Sequence, residues 1–524
     1  MHVRDWSRAV NSTSTGKFTE MTDEKIIDHL KDLGVTHVQL LPVFDYAQLN
    51  SNKNYNWGYN PYHYNVPEGR YVTEGYTDGT QAVKEMRQMI KAFHDAEIAV
   101  IMDVVYNHTS ATKTGSLYDS TVPEYFYSLD ASGNYYSGSG CGNNLDTRRK
   151  MVKKYVVESV KQWVNNYHVN GFRFDLMGVL SKDCMKEIYD ELYAIDPNIL
   201  VYGEPWAGGS TGLAESIEAT SAGTGTSGYG YGAFDDDFRD AIKGGEYGGL
   251  GFGQIQGSYT DNIETGLVGD VITKNKRNTT GITGLALHYA ECHDNYTLFD
   301  KLIYSTDASL NGYNKEDIAT KYNALYSKVM SDKNALNLIK KEDTLAAAYV
   351  LLSQGTAFIN GGQEFLRTKK GSPDSYAADK KGGITWTNTA GTYNIDAVNA
   401  IDLNRKKTYS DVYNTYKMLI AVRKDFNAFT NPSSANAINL ASGITKYEVS
   451  GNNGNFTVLF NASSDIYKLS DAVEGKVVSK HYVSGILGAG INNSSVNNDV
   501  PYALSESTVV KCIPAKSFVI IKTE

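Results

Sequence analysis

The sequence predicts a (β/α)8 barrel with long βα loops, an α/β fold, followed by a C-terminal antiparallel β-sandwich. Three observations predict it. Amphipathic helices and apolar strands alternate from the start of the chain, the strand segments are apolar almost throughout, and short alternating runs replace this pattern after about residue 432. Near-continuous apolar strands mark a parallel sheet covered by helices on its outer side. No GxGxxG stretch follows an early strand, so a dinucleotide-binding sheet lacks its main signature.

The elements follow in order. A helical pattern over 23–34 ends on Gly34, and "THVQLLPV" (36–43) then reads as a buried strand. A helix over 79–98 leads into "AVIMDVV" (99–105), one over 149–167 into "VNGFRFD" (169–175), and one over 184–195 into "NILVYGE" (198–204). Later come "GLALHYAECHD" (284–294), a helix over 343–355, "TAFINGG" (356–362) and a closing helix near 408–426. Eight such units fit a barrel over 1–428, longer than the typical ~250 residues. The surplus falls after strands, at 43–78, 104–147, 207–280 and 361–407, on the face where such barrels place their sites. The Gly-, Ser- and Thr-rich stretch 207–260 reads as a long irregular loop. Over 429–524, "ITKYEVS", "NFTVLFNAS", "GKVVSKHYV" and "STVVKCIPAKSFVIIKT" read as strands of the sandwich.

Charge and cysteine usage narrow the function classes. The 524 residues carry a net charge of −9, with the signs interspersed and no basic stripe, which argues against nucleic acid. No run of eighteen apolar residues is present to span a membrane. Cys141, Cys184, Cys292 and Cys512 are dispersed without a CxxC pair, so each reads as a structural thiol. The Asp235–Asp237 run reads as a solvated turn rather than a calcium site. Tyrosine is abundant at 38 residues; its flat face and polar rim suit carbohydrate and ordinary cores alike.

Ionisable groups close the strands on one face. Asp103 ends "AVIMD" and is followed by Asn107 and His108; Asp175 stands two residues after Arg173; Glu204 ends "LVYGE"; His293 and Asp294 end "HYAECHD". Four strand ends carrying such groups on one barrel face point to a shared site. Converging carboxyls without a thiol or imidazole cluster suit a bond that breaks through a cationic transition state, of which glycoside cleavage is the natural case. Arg173 and Asp175 share a strand face. The guanidinium favours an ionised partner, which makes Asp175 the better nucleophile. Glu204, beside Pro205 and Trp206, is the partly desolvated carboxyl and the better general acid. The aromatic loop "YNWGYNP" (55–61), with Trp57 and Tyr59, taken alone would more often be core packing than a sugar platform. His37 and His94 read as structural, Trp163 as core, and His63 as either structural or functional.

"DVVYNH" (103–108), "GFRFDLMG" (171–178), "YGEPW" (202–206) and "HDN" (293–295) resemble the four ordered signature regions of the α-amylase superfamily. "YNWGYNP" resembles the motif of its type I pullulanases, which cut α-1,6 branch bonds, and "GCGNN" (140–144) fits the same group. The resemblance runs over most of residues 1–430. It implies a starch-debranching glycoside hydrolase with Asp175 as nucleophile, Glu204 as general acid/base and Asp294 as the carboxylate that steadies the distorted sugar. Tyr59, Trp57, Asp103, His108, Arg173, Trp206 and His293 are the expected substrate-binding residues. Among them Arg173 orients the nucleophile, Asp103 is a structural acid and Tyr59 stacks on the sugar. Retention of configuration implies carboxyl groups of Asp175 and Glu204 ~5–5.5 Å apart. The expected partner is an α-glucan oligo- or polysaccharide bound by a monomer. No cofactor and no metal are expected, although Asn107 resembles a calcium ligand of some amylases. The alternatives are an α-1,4-acting amylase or glucanotransferase, or a non-catalytic α-glucan-binding protein on the same barrel. Relatives carry β-sandwich modules before the barrel; here these are expected to be absent, with "MHVRD" left of the first strand. Asn60 stands where many relatives have Asp.

Overall fold

The computed structural model describes residues 1–47, 55–75, 79–220, 229–246, 249–260, 262–269, 285–313, 318–376, 385–388, 391–479 and 501–524. Among these, seven parallel strands form one sheet in chain order: β1 (His37–Leu40), β2 (Ala99–Val104), β3 (Gly171–Phe174), β4 (Leu200–Gly203), β5 (Gly232–Phe234), β6 (Ala286–His288) and β7 (Thr356–Ala357). Met1 lies beside β1. Its amino group donates to the Gln39 carbonyl and its own carbonyl accepts from the Leu41 N–H at 2.8 Å, which continues the parallel ladder into a further position.

Helix ends follow local chemistry. In α2 (Glu24–Leu33) the Asp23 side chain accepts from the Lys25 N–H, and Gly34 closes the helix at φ 88°. Helices α1 (Val3–Val10), α3 (Gly79–Asp95), α4 (Lys150–Tyr167) and α5 (Lys182–Ile195) follow, then α6 (Asp236–Lys243), α7 (Leu298–Ser305), α8 (Lys333–Leu352) and α9 (Ser410–Asp425). Ser181 caps α5 through the Cys184 N–H. Trp163 on α4 is fully buried, and its indole N–H donates to the Tyr64 carbonyl at 3.0 Å.

Two expectations need correction here. Helix α8 starts ten residues before the expected 343, because Asp332 accepts from the Asn334 and Ala335 N–H groups and caps it there. The stretch 207–260 is not one irregular loop, since β5 and α6 lie within it. Parts of the expected loops at 43–78, 207–280 and 361–407 lie outside the described residues, as do residues 480–483 of "GKVVSKHYV" and Gly284 of "GLALHYAECHD".

The C-terminal strands β8 (Ser434–Ala441), β9 (Ile444–Gly451), β10 (Gly454–Asn461), β11 (Tyr467–Ser479), β12 (Ala503–Ile513) and β13 (Ser517–Lys522) form an antiparallel sheet in the order β8-β9-β10-β13-β11-β12. One face packs on the barrel: Phe460 stacks on Tyr349 of α8 with ring centroids 4.4 Å apart. The other face gathers Ile444, Leu459, Val477, Val510, Ile513 and Ile521 into a second small core. No described helix is long and apolar enough to cross a membrane.

Register sets the site. Asp103 on β2 pairs with Arg173 on β3, which pairs with Tyr202 on β4, so the three residues share one layer. Asp175 and Glu204 then leave the C-terminal ends of β3 and β4 immediately above that layer.

Candidate active site

Arg173 is fully buried. Its Nη1 donates to Asp103 Oδ1 at 2.8 Å and to Asp175 Oδ1 at 3.0 Å, and its Nη2 pairs with Glu204. One guanidinium thus holds three carboxyls contributed by three adjacent strands. Asp175 is fixed a second time by Asn107, whose Nδ2 donates to its Oδ2 at 2.7 Å and to its carbonyl at 2.8 Å. Glu204 Oε2 accepts the Leu176 N–H at 2.9 Å. Leu176 sits at φ 40°, a left-handed conformation costly for a residue with a Cβ. This turn aims the backbone N–H that follows Asp175 at Glu204, so the two carboxyls are positioned by the same few atoms.

The two carboxyls have different surroundings. Burial pushes Glu204 up to about 8; the Arg173 charge opposes this, while the charges of Asp175 and Asp294 add to it. Burial outweighs the ion pair because the pocket removes the water that would otherwise solvate the ionised form. Asp103 is likewise raised by burial, to about 7. It accepts the Tyr59 hydroxyl at 2.6 Å.

His108 is buried and held down to about 4 by burial, so it is neutral. Asn107 spends its amide N–H on Asp175, so its Oδ1 must accept from His108 Nδ1, 2.5 Å away. This tautomer leaves the His108 Nε2 lone pair, buried and without a hydrogen-bond partner, on the cavity wall, where it can accept a hydroxyl proton. Asn107, the residue resembling a calcium ligand, therefore has both ends of its amide engaged. Among the described residues no group of three His, Cys, Asp or Glu side chains could hold a metal ion.

The cavity encloses about 610 Å³ and brings together Trp57, Tyr59, His108, Asp175, Glu204, Trp206, His293 and Asp294. His293 is sandwiched: Tyr59 stacks on it at 4.9 Å and Trp57 meets it edge-on at 5.0 Å. Burial holds its imidazole well below the ordinary histidine range, and the nearby Arg173 and Lys369 charges act the same way. Asp294, with a side chain 51% exposed, lines the open part of the cavity.

Structure and sequence expectation part company at several residues. Asp103 and Arg173, expected to bind substrate, have no exposed surface and lie beneath the cavity floor, in contact with the lining residues Tyr59, Asp175 and Glu204. His293 and Asp294 do not end a strand, since β6 stops at His288 and both sit in the loop beyond. Asp235 is not in a solvated turn: it is fully buried, caps α6 through the Phe238 N–H and faces His288 Nε2 at 3.3 Å. His37 is exposed at the start of β1, its ring bonded to the Thr36 hydroxyl. His94 bonds Asn170 at 2.8 Å, and His63 accepts the Asn65 N–H away from the cavity.

"YNWGYNP" divides between two roles. Tyr55 turns inward, its hydroxyl donating to Asp5 at 2.7 Å, and is core. Gly58 turns the chain at φ 99°, where a Cβ would stand 3.0 Å from Pro42. Trp57 and Tyr59 then face the cavity. Arg239, Lys243, Tyr289, Cys141, Cys292, Asn295 and Tyr376 also line it, and no strand-end pattern marked them. Cys141 lies inside "GCGNN", Asn295 inside "HDN", and Tyr289 and Cys292 inside "HYAECHD", where His293 and Asp294 alone were singled out.

Two acids bridged by one arginine at the C-terminal ends of adjacent strands place the chain among barrel proteins built for glycosidic chemistry. The α-amylase catalytic-domain family model matches residues 10–135. A pullulanase of Bacillus subtilis (strain 168) is 32% identical over 450 residues, covering 83% of this chain and 56% of the relative. The solved pullulanase of Bacillus acidopullulyticus superposes with a TM-score of 0.78 at 33% identity, over 100% of this chain and 60% of that one. A pullulanase of Paenibacillus barengoltzii, solved with maltohexaose and α-cyclodextrin, superposes with a TM-score of 0.79 at 29% identity, over 100% of this chain and 76% of that one. The chain belongs to the α-amylase superfamily, and the relatives named here, to which it is similar, are pullulanases. It spans a little over half the length of the Bacillus subtilis relative.

Proposed function

We propose that the chain is a retaining glycoside hydrolase that cleaves α-1,6-glucosidic branch bonds in pullulan, amylopectin and their limit dextrins. The observation that carries this reading is the shared guanidinium. Arg173 holds Asp175 and Glu204 side by side, while burial keeps Glu204 protonated up to about pH 8. Asp175 attacks the anomeric carbon as Glu204 passes its proton to the departing 6-oxygen. The glycosyl ester on Asp175 is then hydrolysed by a water that Glu204, now ionised, deprotonates. Asp294, His108 and His293 are placed to engage the hydroxyls of the sugar undergoing reaction. The α-1,6 preference rests on the "YNWGYNP" loop and on the pullulanase relatives, one of them solved with maltohexaose. The reaction draws on water alone.

Chromatography of the products from pullulan tests the reading. Maltotriose as the main product is expected; panose or isopanose would instead mean α-1,4 cleavage. Binding without turnover would favour an α-glucan-binding protein.

Two further outcomes follow. Because Glu204 must be protonated to act as acid, kcat/KM should fall as pH rises through about 8. In Glu204→Gln this basic limb should disappear from the pH profile; a limb persisting at the same pH would assign it to another group. Tyr59→Ala removes a ring from the cavity wall and the support under His293. It should cost roughly 0.5–3 kcal/mol at the transition state, read as a fall in kcat/KM, whereas an unchanged value would return Tyr59 to the core.

A further inference from the structure

The loop after β7 carries a buried ammonium that the chemistry above does not use. Lys369 is 2% exposed. Its Nζ donates to the His293 carbonyl at 2.9 Å and the Pro373 carbonyl at 3.4 Å, and it stands 5.5 Å from the Trp57 ring centroid. The loop itself is pinned by Asp300 of α7. That carboxylate accepts the Lys369 N–H at 2.7 Å, the Thr368 hydroxyl at 2.6 Å and the Gly371 N–H at 3.2 Å, together with the Tyr322 hydroxyl. Further along, the Tyr376 carbonyl accepts the Trp57 N–H at 3.1 Å. Burying an ammonium costs several kcal/mol of hydration, and a methionine would fill the volume without that cost. The lysine instead meets three segments that otherwise have no covalent reason to stay in register: its own loop, the aromatic motif and the turn carrying His293 and Asp294. Fixing the His293 carbonyl fixes the peptide from which the Asp294 side chain springs.

We propose that Lys369 is a positioning residue, whose ammonium holds the His293–Asp294 turn and the Trp57 wall in register with Asp175 and Glu204. The proposal rests on the reading of Asp294 as the third carboxylate of a glycoside hydrolase. In the full chain, Lys369→Met should lower kcat on pullulan about 100-fold, as expected for misplacement by about 1 Å, with the circular dichroism spectrum unchanged. In an Asp294→Ala background the same change should cost less than about twofold, because the carboxylate being positioned is already gone. An equal loss in both backgrounds would make Lys369 a stability residue and overturn the proposal, as would wild-type kcat in Lys369→Met. Should Lys369→Met not fold, Lys369→Gln, an uncharged donor of similar length, replaces it in both backgrounds with the same outcomes. If the wild-type chain releases no maltotriose, the functional reading fails on its own. Maltotriose binding followed by tryptophan fluorescence then decides on Lys369: affinity lowered about threefold or more in Lys369→Met supports the positioning role, and unchanged affinity overturns it.

Discussion

Asp175→Asn is expected to lower kcat/KM on pullulan by about 10⁴-fold or more while maltooligosaccharide binding stays within about threefold. The substitution is nearly isosteric; it gives up the bond that Oδ2 accepts from Asn107 and keeps the one from Arg173. Arg173 can still donate to Oδ1, and the Asn107 amide, which also reaches the residue 175 carbonyl at 2.8 Å, keeps an acceptor if the new amide nitrogen faces it. What is lost is the oxygen nucleophile, so the covalent glycosyl intermediate cannot form and only general-acid assistance from Glu204 and the cavity's binding remain. Initial rates and calorimetric maltotriose titration of the same preparation separate the two effects. Residual turnover above about 1% of wild type would remove Asp175 from the nucleophile's role.

What the sequence could reveal was local. Asp23 and Gly34 bracket α2, because caps are read from neighbouring backbone atoms, whereas the cap of α5 at Ser181 lies three residues before the pattern read over 184–195. Asp103, Arg173, Asp175 and Glu204 were legible because the two-residue period of a strand places Arg173 and Asp175 on one face, and because Asp103, Asp175 and Glu204 each close an apolar run. Period alone gives a face and not a depth. Asp103 and Arg173 therefore read as cavity residues, although the register puts them one layer below, where Tyr59 and the upper carboxyls cover them. Strand β5, three residues long, was too short to stand out from the loops around it. The start of α8 was missed for a different reason: Asp332 caps a polar first turn with no apolar periodicity to announce it.

The least legible part was what loops do to one another. Lys369 reaches His293 across 76 residues of sequence, and Tyr376 reaches Trp57 across the barrel mouth; neither leaves a pattern within a window of the sequence. Arg239 and Lys243 came to the cavity wall on α6, inside a stretch whose Gly, Ser and Thr content masked a strand and a helix. Asp235 read as solvated because three successive acids usually are; its burial depends on His288, a partner 53 positions away on the neighbouring strand.

Arg173→Met should be among the most destabilising single substitutions in the chain, costing about 3–5 kcal/mol. The guanidinium is the counter-charge of three carboxyls and is itself fully buried, so its loss strands acids in a place water cannot reach. The pH dependence follows from their shifts. With Arg173 present, burial already raises Glu204 to about 8 and Asp103 to about 7. A carboxyl whose folded value lies above its unfolded one binds more protons when folded, so it withdraws stability as pH rises from the unfolded value, near 4, to the folded one. Without Arg173 both values move further up. The deficit relative to wild type should then be smallest near pH 5, where Glu204 and Asp103 are protonated in both folded proteins, and should grow as pH rises through their wild-type values toward pH 8. Urea unfolding of both proteins at pH 5 and pH 8 measures it. A deficit independent of pH would mean that Arg173 contributes packing rather than charge. In that case the pairing of Asp175 with Glu204 would need another cause, because the same guanidinium that stabilises the fold is what brings the two acids together.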